Sequence, residues 1–355
     1  MDRAELASLL EGQPRYRVDQ VWEGLYAQHR GPEEITSLPA SLRTRLGTEL
    51  PPALAPVTES VTDGGDTVKF LWELQGGARV ETVLMHYRDR STVCVSTQAG
   101  CAMACSFCAT GQAGFERHLG VGEIVEQVVR AQRVASGGDR PRRVSNIVFM
   151  GMGEPLANFD NTWGAVRRLH DDLGIGARHL TVSTVGLVPG IRRLAEADLP
   201  VNLAVSLHAA DDRLRDELVP INRRYPLDEL SRACAEYFAA TRRRISFEWA
   251  MIDGVNDRPE DAQGLARLAR PLRAHVNLIP LNPTPGYAVR GSSRATVRGF
   301  RDQLEQLGVN ATVRDTRGTE IDAACGQLRA GHEATPVRLG ARRAQPAGSS
   351  RLAGS

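Results

Sequence analysis

From residue 92 onward, short runs of Val, Ile and Leu alternate with longer amphipathic runs, and this alternation constrains the fold more than any other feature. The spacing predicts strands at 92–97, 145–150, 179–184, 201–206, 245–252 and 275–280. Helical patterns lie between them, at 121–136, 161–172, 189–197, 227–241 and 259–272. Strands this apolar read as parallel strands buried on both faces. Strand–helix alternation implies right-handed βαβ crossovers and one parallel sheet. Six such units fall short of the eight that close a barrel, so the fold class is α/β, a partial (β/α)6 barrel. A helix at 294–307 and a strand near 310–315 come after them.

Upstream the pattern is different. Val18, Val21, Trp22, Leu25 and Tyr26 recur at helical spacing. Pro39, Pro51 and Pro52 punctuate the next stretch. Two alternating stretches, 67–74 and 79–86, flank Gly76 and Gly77 and predict a β-hairpin. The expected organisation is a small helical module at 1–50, a linker and hairpin at 51–90, the barrel with a C-terminal loop at 91–328, and a tail at 329–355. The tail holds Pro, Gly, Ser, Ala and Arg without periodicity, which predicts disorder.

No apolar stretch approaches a membrane span, and the N-terminal MDRAELASLLEG lacks the basic-then-apolar pattern of a signal peptide. A cytoplasmic protein without a membrane partner is the expectation. Reducing conditions there disfavour permanent disulfides, so clustered cysteines read as metal-binding or catalytic. The formal net charge is only +2, and Lys69 is the sole lysine. Arginines cluster at Arg140, Arg142 and Arg143, at Arg223 and Arg224, and at Arg242, Arg243 and Arg244. Their forks suit phosphates, but an arginine-rich solvated surface explains them equally. Composition does not establish an RNA partner.

Cys101, Cys105 and Cys108 form a C-x3-C-x2-C triplet in GCAMACSFCATG. Three cysteines this close can wrap one metal centre, and no fourth lies just downstream. Most iron–sulfur clusters take four thiolates. Three leave one iron open, and an open position marks a catalytic site. The alternatives are inert thiols or zinc. Zinc requires a fourth ligand, and the nearest candidate, His118, lies ten residues beyond Cys108. Ligand softness and geometry favour a cluster. The spacing resembles the signature of radical S-adenosylmethionine (SAM) enzymes, in which the open iron of a [4Fe–4S] cluster holds SAM.

Functional groups in parallel α/β folds gather at the carboxyl ends of strands. GMGEP (151–155) comes directly after the second strand. Gly151 and Gly153 would let backbone approach a ligand. Glu154 could accept the SAM ammonium or cap a tight turn. Ser183 and Thr184 end the third strand, Ser206, Leu207 and His208 the fourth, and Asn282 the sixth. Each is weak alone, and His208 alone reads as a structural histidine. Together they ring one mouth with the groups a ribose and an amino acid need. Cys94 and Cys325 read individually as buried thiols, and Cys234, on a helix, as an inert one. Glu81, in RVETVLMHY, reads from spacing alone as a carboxylate on the solvent face of the hairpin.

The triplet, GMGEP, SLHA, LNP and DAACGQL, in this order, closely resemble those of the radical SAM RNA adenine-C2 methyltransferases, which act on 23S rRNA and tRNA. The resemblance runs from about residue 10 to 330. It also takes in YRVDQVWEGLY, VSTVG and VPINRRYPL. It implies that Cys101, Cys105 and Cys108 ligate a [4Fe–4S] cluster. It implies that Gly153, Glu154, Ser183, Ser206, Leu207, His208 and Asn282 bind SAM. Cys325 would be a methyl carrier, Cys94 its resolving partner and Glu81 a proton acceptor.

The implied cycle consumes two SAM molecules, passes through a covalent protein–RNA adduct at Cys325 and ends in a transient Cys94–Cys325 disulfide. The implied substrates are adenosine-2503 of 23S rRNA and adenosine-37 of tRNAs. An electron donor such as flavodoxin or ferredoxin and a monomeric state complete the expectation. The helical module and the arginine clusters are candidates for gripping RNA. A sister branch methylates C8 of the same rRNA adenosine; Pro155 and the TRG before EIDAACGQL favour C2. A radical SAM enzyme for a small molecule would need neither Cys94 nor Cys325. A zinc-binding RNA module would give no reason for GMGEP and SLHA.

Overall fold

The computed structural model describes residues 3–137, 141–282, 284, 289–314, 317–328 and 330–331. Arg140 and all of the predicted tail except Ala330 and Gly331 lie outside them.

Twelve strands form among the described residues: β1 (Leu54–Thr62), β2 (Thr67–Leu74), β3 (Arg79–His86), β4 (Ser91–Cys94), β5 (Gln98–Gly100), β6 (Phe115–His118), β7 (Val144–Phe149), β8 (Leu180–Thr184), β9 (Asn202–Ser206), β10 (Ile245–Met251), β11 (His275–Pro280) and β12 (Ala311–Val313). Ten make one sheet in the order β1-β2-β3-β4-β7-β8-β9-β10-β11-β12. From β4 to β12 every pairing is parallel. The expected six-strand partial barrel is present, and β12 extends it by one parallel strand.

The hairpin is antiparallel and joins the barrel through β3 and β4. It is therefore the continuation of the same sheet. The stretch read as a linker contains β1, an edge strand whose mostly exposed residues carry no apolar alternation. β5 and β6 pair separately.

Helix Val121–Ser136 buries Ile124, Val125, Val128, Ala131 and Ala135 on one stripe. Its start is fixed by Glu123, whose carboxylate accepts the Gly120 N–H at 2.8 Å. The inner face of the barrel departs from the expectation of strands apolar on both sides. Thr92, Asn146, Thr181, Asn202, Ser246 and Asn277 line an open space along it. A barrel that does not close admits water, so its inward positions carry polar groups instead of the packed layers of a closed one. The N-terminal helices have their own core, built on Leu6, Val21, Trp22, Ile35, Leu42 and Leu46. No described helix is long and apolar enough to cross a membrane.

Candidate active site

The loop that carries the triplet leaves β5 through Gly100, at φ +70°, where a Cβ would stand 2.0 Å from the Gly114 carbonyl oxygen. Only glycine fits that approach. The Cys101 N–H then donates to Gly114 O at 2.6 Å, and Ser106 N–H to Leu218 O at 3.1 Å. This folding turns Cys101, Cys105 and Cys108 into one cleft of about 980 Å3 at the carboxyl ends of the parallel strands. Burial pushes the Cys101 thiol up to about 12, and raises those of Cys105 and Cys108. Thiolates in so apolar a place need a cationic centre, which iron supplies.

Among the described residues no three His, Cys, Asp or Glu side chains converge on a point that suits one ion. A cluster takes each thiolate on a different iron and so spreads its ligands. His118, the fourth ligand that zinc would need, instead pairs its Nδ1 with Gln98 Nε2 at 3.0 Å. The donor set fits the cluster.

GMGEP packs as tightly as its glycines suggest. A Cβ on Gly151 would lie 2.7 Å from the Val95 backbone, and one on Gly153, at φ +103°, 2.6 Å from Gln98 Cβ. Glu154 is buried, and its carboxylate accepts the N–H groups of Leu156 (3.0 Å) and Val185 (2.9 Å). Burial raises it to about 7 in spite of those bonds. Ser183 Oγ donates to Phe149 O at 2.6 Å. Gly153, Glu154, Ser183, Ser206, His208 and Asn282 all line the cleft with the triplet. Leu207 does not. Its side chain is buried, its N–H donates to Glu248 O, and its carbonyl accepts Arg215 Nε at 3.1 Å.

His208 sits at φ +60° with its ring edge-on to Phe107 at 4.7 Å, and its Nδ1 accepts the Ala250 N–H at 2.9 Å. Burial, then the Arg215 charge, lower it from 6.5 to about 3. The folded protein therefore holds a neutral imidazole where the unfolded chain takes up a proton. The resulting stability is present above pH 6.5 and is lost as pH falls towards 3. By about pH 5 the loss reaches about 2 kcal/mol. Asparagine retains an acceptor and tolerates positive φ. Urea titrations of His208→Asn are expected to show a shallower decline between pH 6.5 and 5 than the wild type; parallel curves would contradict it.

Three residues that the sequence alone did not single out complete the site. Arg215 is wholly buried and donates to Leu207 O, Val185 O (2.6 Å), Ser206 O (3.3 Å) and Asn222 Oδ1 (2.9 Å), so it fastens the loops after β8 and β9 together. Glu248 lines the cleft. Its Oε1 accepts from Ser246 Oγ and Asn277 Nδ2, while Oε2, also buried, has no partner among the described residues. Glu248 borders both the cleft and the open space along the barrel, and an orphaned acceptor on it is available to a ligand rich in hydroxyl and amine donors, as SAM is. Arg314 lines the same cleft, and the neighbouring Cys325, then Glu248, favour its charged form. A lone charged residue on a helix or strand reads as solvated, so no local signal separated these three.

Cys94 and Cys325 line a second cavity of about 640 Å3. Cys325, Cys108, Asn282 and Arg314 belong to both spaces. Asn282 Nδ2 donates to the Cys325 carbonyl at 3.1 Å, and Ala109 N–H to Gly326 O at 2.8 Å, so the Cys325 loop is laced to the cluster loop. Cys234 is buried outside both cavities, as an inert thiol would be.

Two expectations need correction. Glu81 is not on a solvent face: it is 4 % exposed and lines neither cavity, and Lys69 Nζ lies 2.9 Å from its Oε1. Arg242, Arg243 and Arg244 precede β10 and line the open space along the barrel, at the opposite strand ends from the cysteines. They are not placed to grip a base above the cluster.

Fold and site together define a radical SAM enzyme. A model of the Radical SAM superfamily matches residues 95–266. A relative from Salinispora tropica named "Probable dual-specificity RNA methyltransferase RlmN" is 54% identical over 90% of this chain and 88% of its own. One of the same name from Chloroflexus aurantiacus is 52% identical over 94% and 92%. The crystal structure of a radical SAM methyltransferase from Sphaerobacter thermophilus superposes with a TM-score of 0.90 at 51% identity, over 93% of this chain and 98% of that one. The chain belongs to the radical SAM dual-specificity RNA methyltransferase family, and its cofactors are SAM and a [4Fe–4S] cluster.

Proposed function

We propose that the protein methylates C2 of adenosine in RNA, at adenosine-2503 of 23S rRNA and adenosine-37 of tRNAs, with Cys325 as methyl carrier. One observation carries this reading: Cys94 and Cys325 share a cavity that runs into the cleft of the cysteine triplet. Two extra thiols in that position serve a carrier-and-release cycle and have no use in a simple SAM-cleaving enzyme.

C2 lies between two ring nitrogens and is too electron-poor to attack a methyl sulfonium. When bound, the cluster and SAM supply the one-electron chemistry this carbon requires. Cys101, Cys105 and Cys108 hold the cluster. Gly153, Glu154, Ser183, Ser206, His208 and Asn282 hold SAM, with Leu207 acting through its bonded backbone. Cys325, as thiolate, takes a methyl group from one SAM by displacement. A second SAM, when bound, would supply the one-electron activation that removes one hydrogen atom from the methyl group on Cys325. Once that carbon is joined to C2, Cys325 is bonded to RNA. Glu81 would accept the C2 proton while the adduct returns one electron to the bound one-electron cofactor. Cys94, as thiolate, then attacks the Cys325 sulfur; the sulfur–carbon bond breaks, the freed carbon takes up a proton to complete the methyl group, and the disulfide left behind is reopened in a reducing compartment.

The base has to leave its stack to reach the cleft, and the helical module at 1–50 is our candidate for gripping the RNA. We place the protein in the cytoplasm, as a monomer supplied by a one-electron donor such as flavodoxin or ferredoxin.

The test is anaerobic reconstitution with iron and sulfide, then reaction with SAM, a reductant and protein-free 23S rRNA or tRNA. The modified nucleoside is read by mass spectrometry. 2-Methyladenosine is expected. 8-Methyladenosine would move the protein to the C8 branch, and cleavage of SAM without either product would withdraw the RNA assignment.

A further inference from the structure

Of the 44 lysine and arginine residues only Lys69 is lysine, and its side chain is 14% exposed. It stands in β2 opposite Val83, which in turn stands opposite Cys94. Glu81 lies two residues along β3, so Lys69, Glu81 and Cys94 project from one face of the sheet. Lys69 Nζ is 2.9 Å from Glu81 Oε1 and 3.4 Å from the Asp322 carbonyl oxygen. The other Glu81 oxygen accepts the Ala330 N–H at 3.2 Å. Asp322 stands three residues before Cys325, and Ala330 five residues after it. One ion pair thus holds both ends of the segment that carries Cys325.

We propose that the Lys69–Glu81 pair is a clasp that fixes the Cys325 loop where its thiolate takes a methyl group. This rests on the carrier reading of Cys325. In that step a sulfur lone pair of Cys325 forms the new S–CH3 bond. The sulfonium S–CH3 bond of SAM breaks, and S-adenosylhomocysteine leaves with its electron pair.

The tip of the loop is held separately, by Asn282 on the Cys325 carbonyl, Ala109 on Gly326 O and Thr110 Oγ1 on Leu328 O at 2.5 Å. The clasp adds the two ends of the segment, and so sets how far the thiol stands from the cleft. Each partner depends on the other, because a buried charge that loses its counter-ion is strongly disfavoured. The slot suits a compact ammonium, and a guanidinium brings a wider, planar fork. Lys69 is a positioning residue in this scheme.

Because Lys69 is the only lysine, an amine-acetylating reagent reports on it alone apart from the α-amino group. Peptide mass spectrometry of the holoenzyme is expected to show Lys69 acetylated at least about tenfold more slowly than in the urea-unfolded chain, and Glu81→Gln to remove most of that protection. Lys69→Met is expected to lower the rate at which Cys325 gains a methyl from SAM by about 10²-fold. Iron content and visible absorbance should stay unchanged, and Lys69→Arg should restore part of the rate. Methyl loading precedes any removal of the C2 proton, so this readout separates the clasp from the proton-acceptor role of Glu81.

Loading at the wild-type rate in Lys69→Met overturns the clasp, as does acetylation of the holoenzyme as fast as of the unfolded chain. If Lys69→Met does not fold, the wild-type labelling and Lys69→Arg carry the test. A wild-type protein that loads no methyl while Lys69 stays protected overturns the carrier role and, with it, the positioning role, although the loop is still fastened.

Discussion

Replacing Cys94 with alanine is expected to leave RNA joined to the protein through Cys325. Multiple-turnover methylation should fall by about 10³-fold or more, while a protein–RNA band that survives denaturing electrophoresis accumulates. Cys94 is buried and lines the small cavity that also holds Cys325. Burial, and then the neighbouring Cys325, push its thiol up to about 12, while the Arg314 charge pulls the other way. Burial is the larger cause and keeps Cys94 protonated, and the neighbouring Cys325 adds the smaller part. Normal turnover by Cys94→Ala would remove the resolving role. Cys94→Ala combined with Cys325→Ala should show no adduct at all.

The second large effect is expected at Arg215, which lines neither cavity. Its guanidinium bonds three carbonyls and Asn222 with no exposed surface. Arg215→Leu would leave Leu207 O, Val185 O and Ser206 O without this donor. Buried acceptors left unpaired cost roughly 1–3 kcal/mol each, and not additively, so a loss of about 3–5 kcal/mol is expected. The loops that leave β8 after Ser183 and Thr184 and β9 after Ser206 lose their common fastener, so affinity for SAM should fall with stability. The urea midpoint and calorimetric SAM titration measure the two separately. An unchanged midpoint would mean that water replaces the guanidinium and that Arg215 is not a fastener.

Legibility from the sequence differed by element for physical reasons. Helices Val121–Ser136 and Leu227–Thr241 and strands Thr67–Leu74, Arg79–His86 and His275–Pro280 appear with the bounds that periodicity predicts. Each is long or strongly patterned. Helix Asp212–Leu218 went unread because seven residues make too little pattern, although Asp211 caps it through the Leu214 N–H at 2.9 Å. β1 went unread because an exposed edge needs no apolar face. Glu81 was misread because a carboxylate on a strand is ordinarily solvated, and its ion-pair partner, Lys69, lies on another strand.

The triplet and the glycines of GMGEP are each written within a few residues, and each βα step is local along the chain, where covalent geometry leaves few arrangements. Those features determined the class of fold and the end of the sheet at which the three cysteines and the polar motifs gather. The meeting of Cys94 with Cys325 spans 231 positions of the sequence (325 − 94). It depends on the sheet curving so that the segment after β12 returns to β2 and β3. That return places Arg314 beside the two thiols and lays the Asp322 and Ala330 backbone on the Lys69–Glu81 pair. Only the tertiary structure decided these contacts, because a charge or a thiol takes its chemistry from what surrounds it, and its surroundings come from distant parts of the chain.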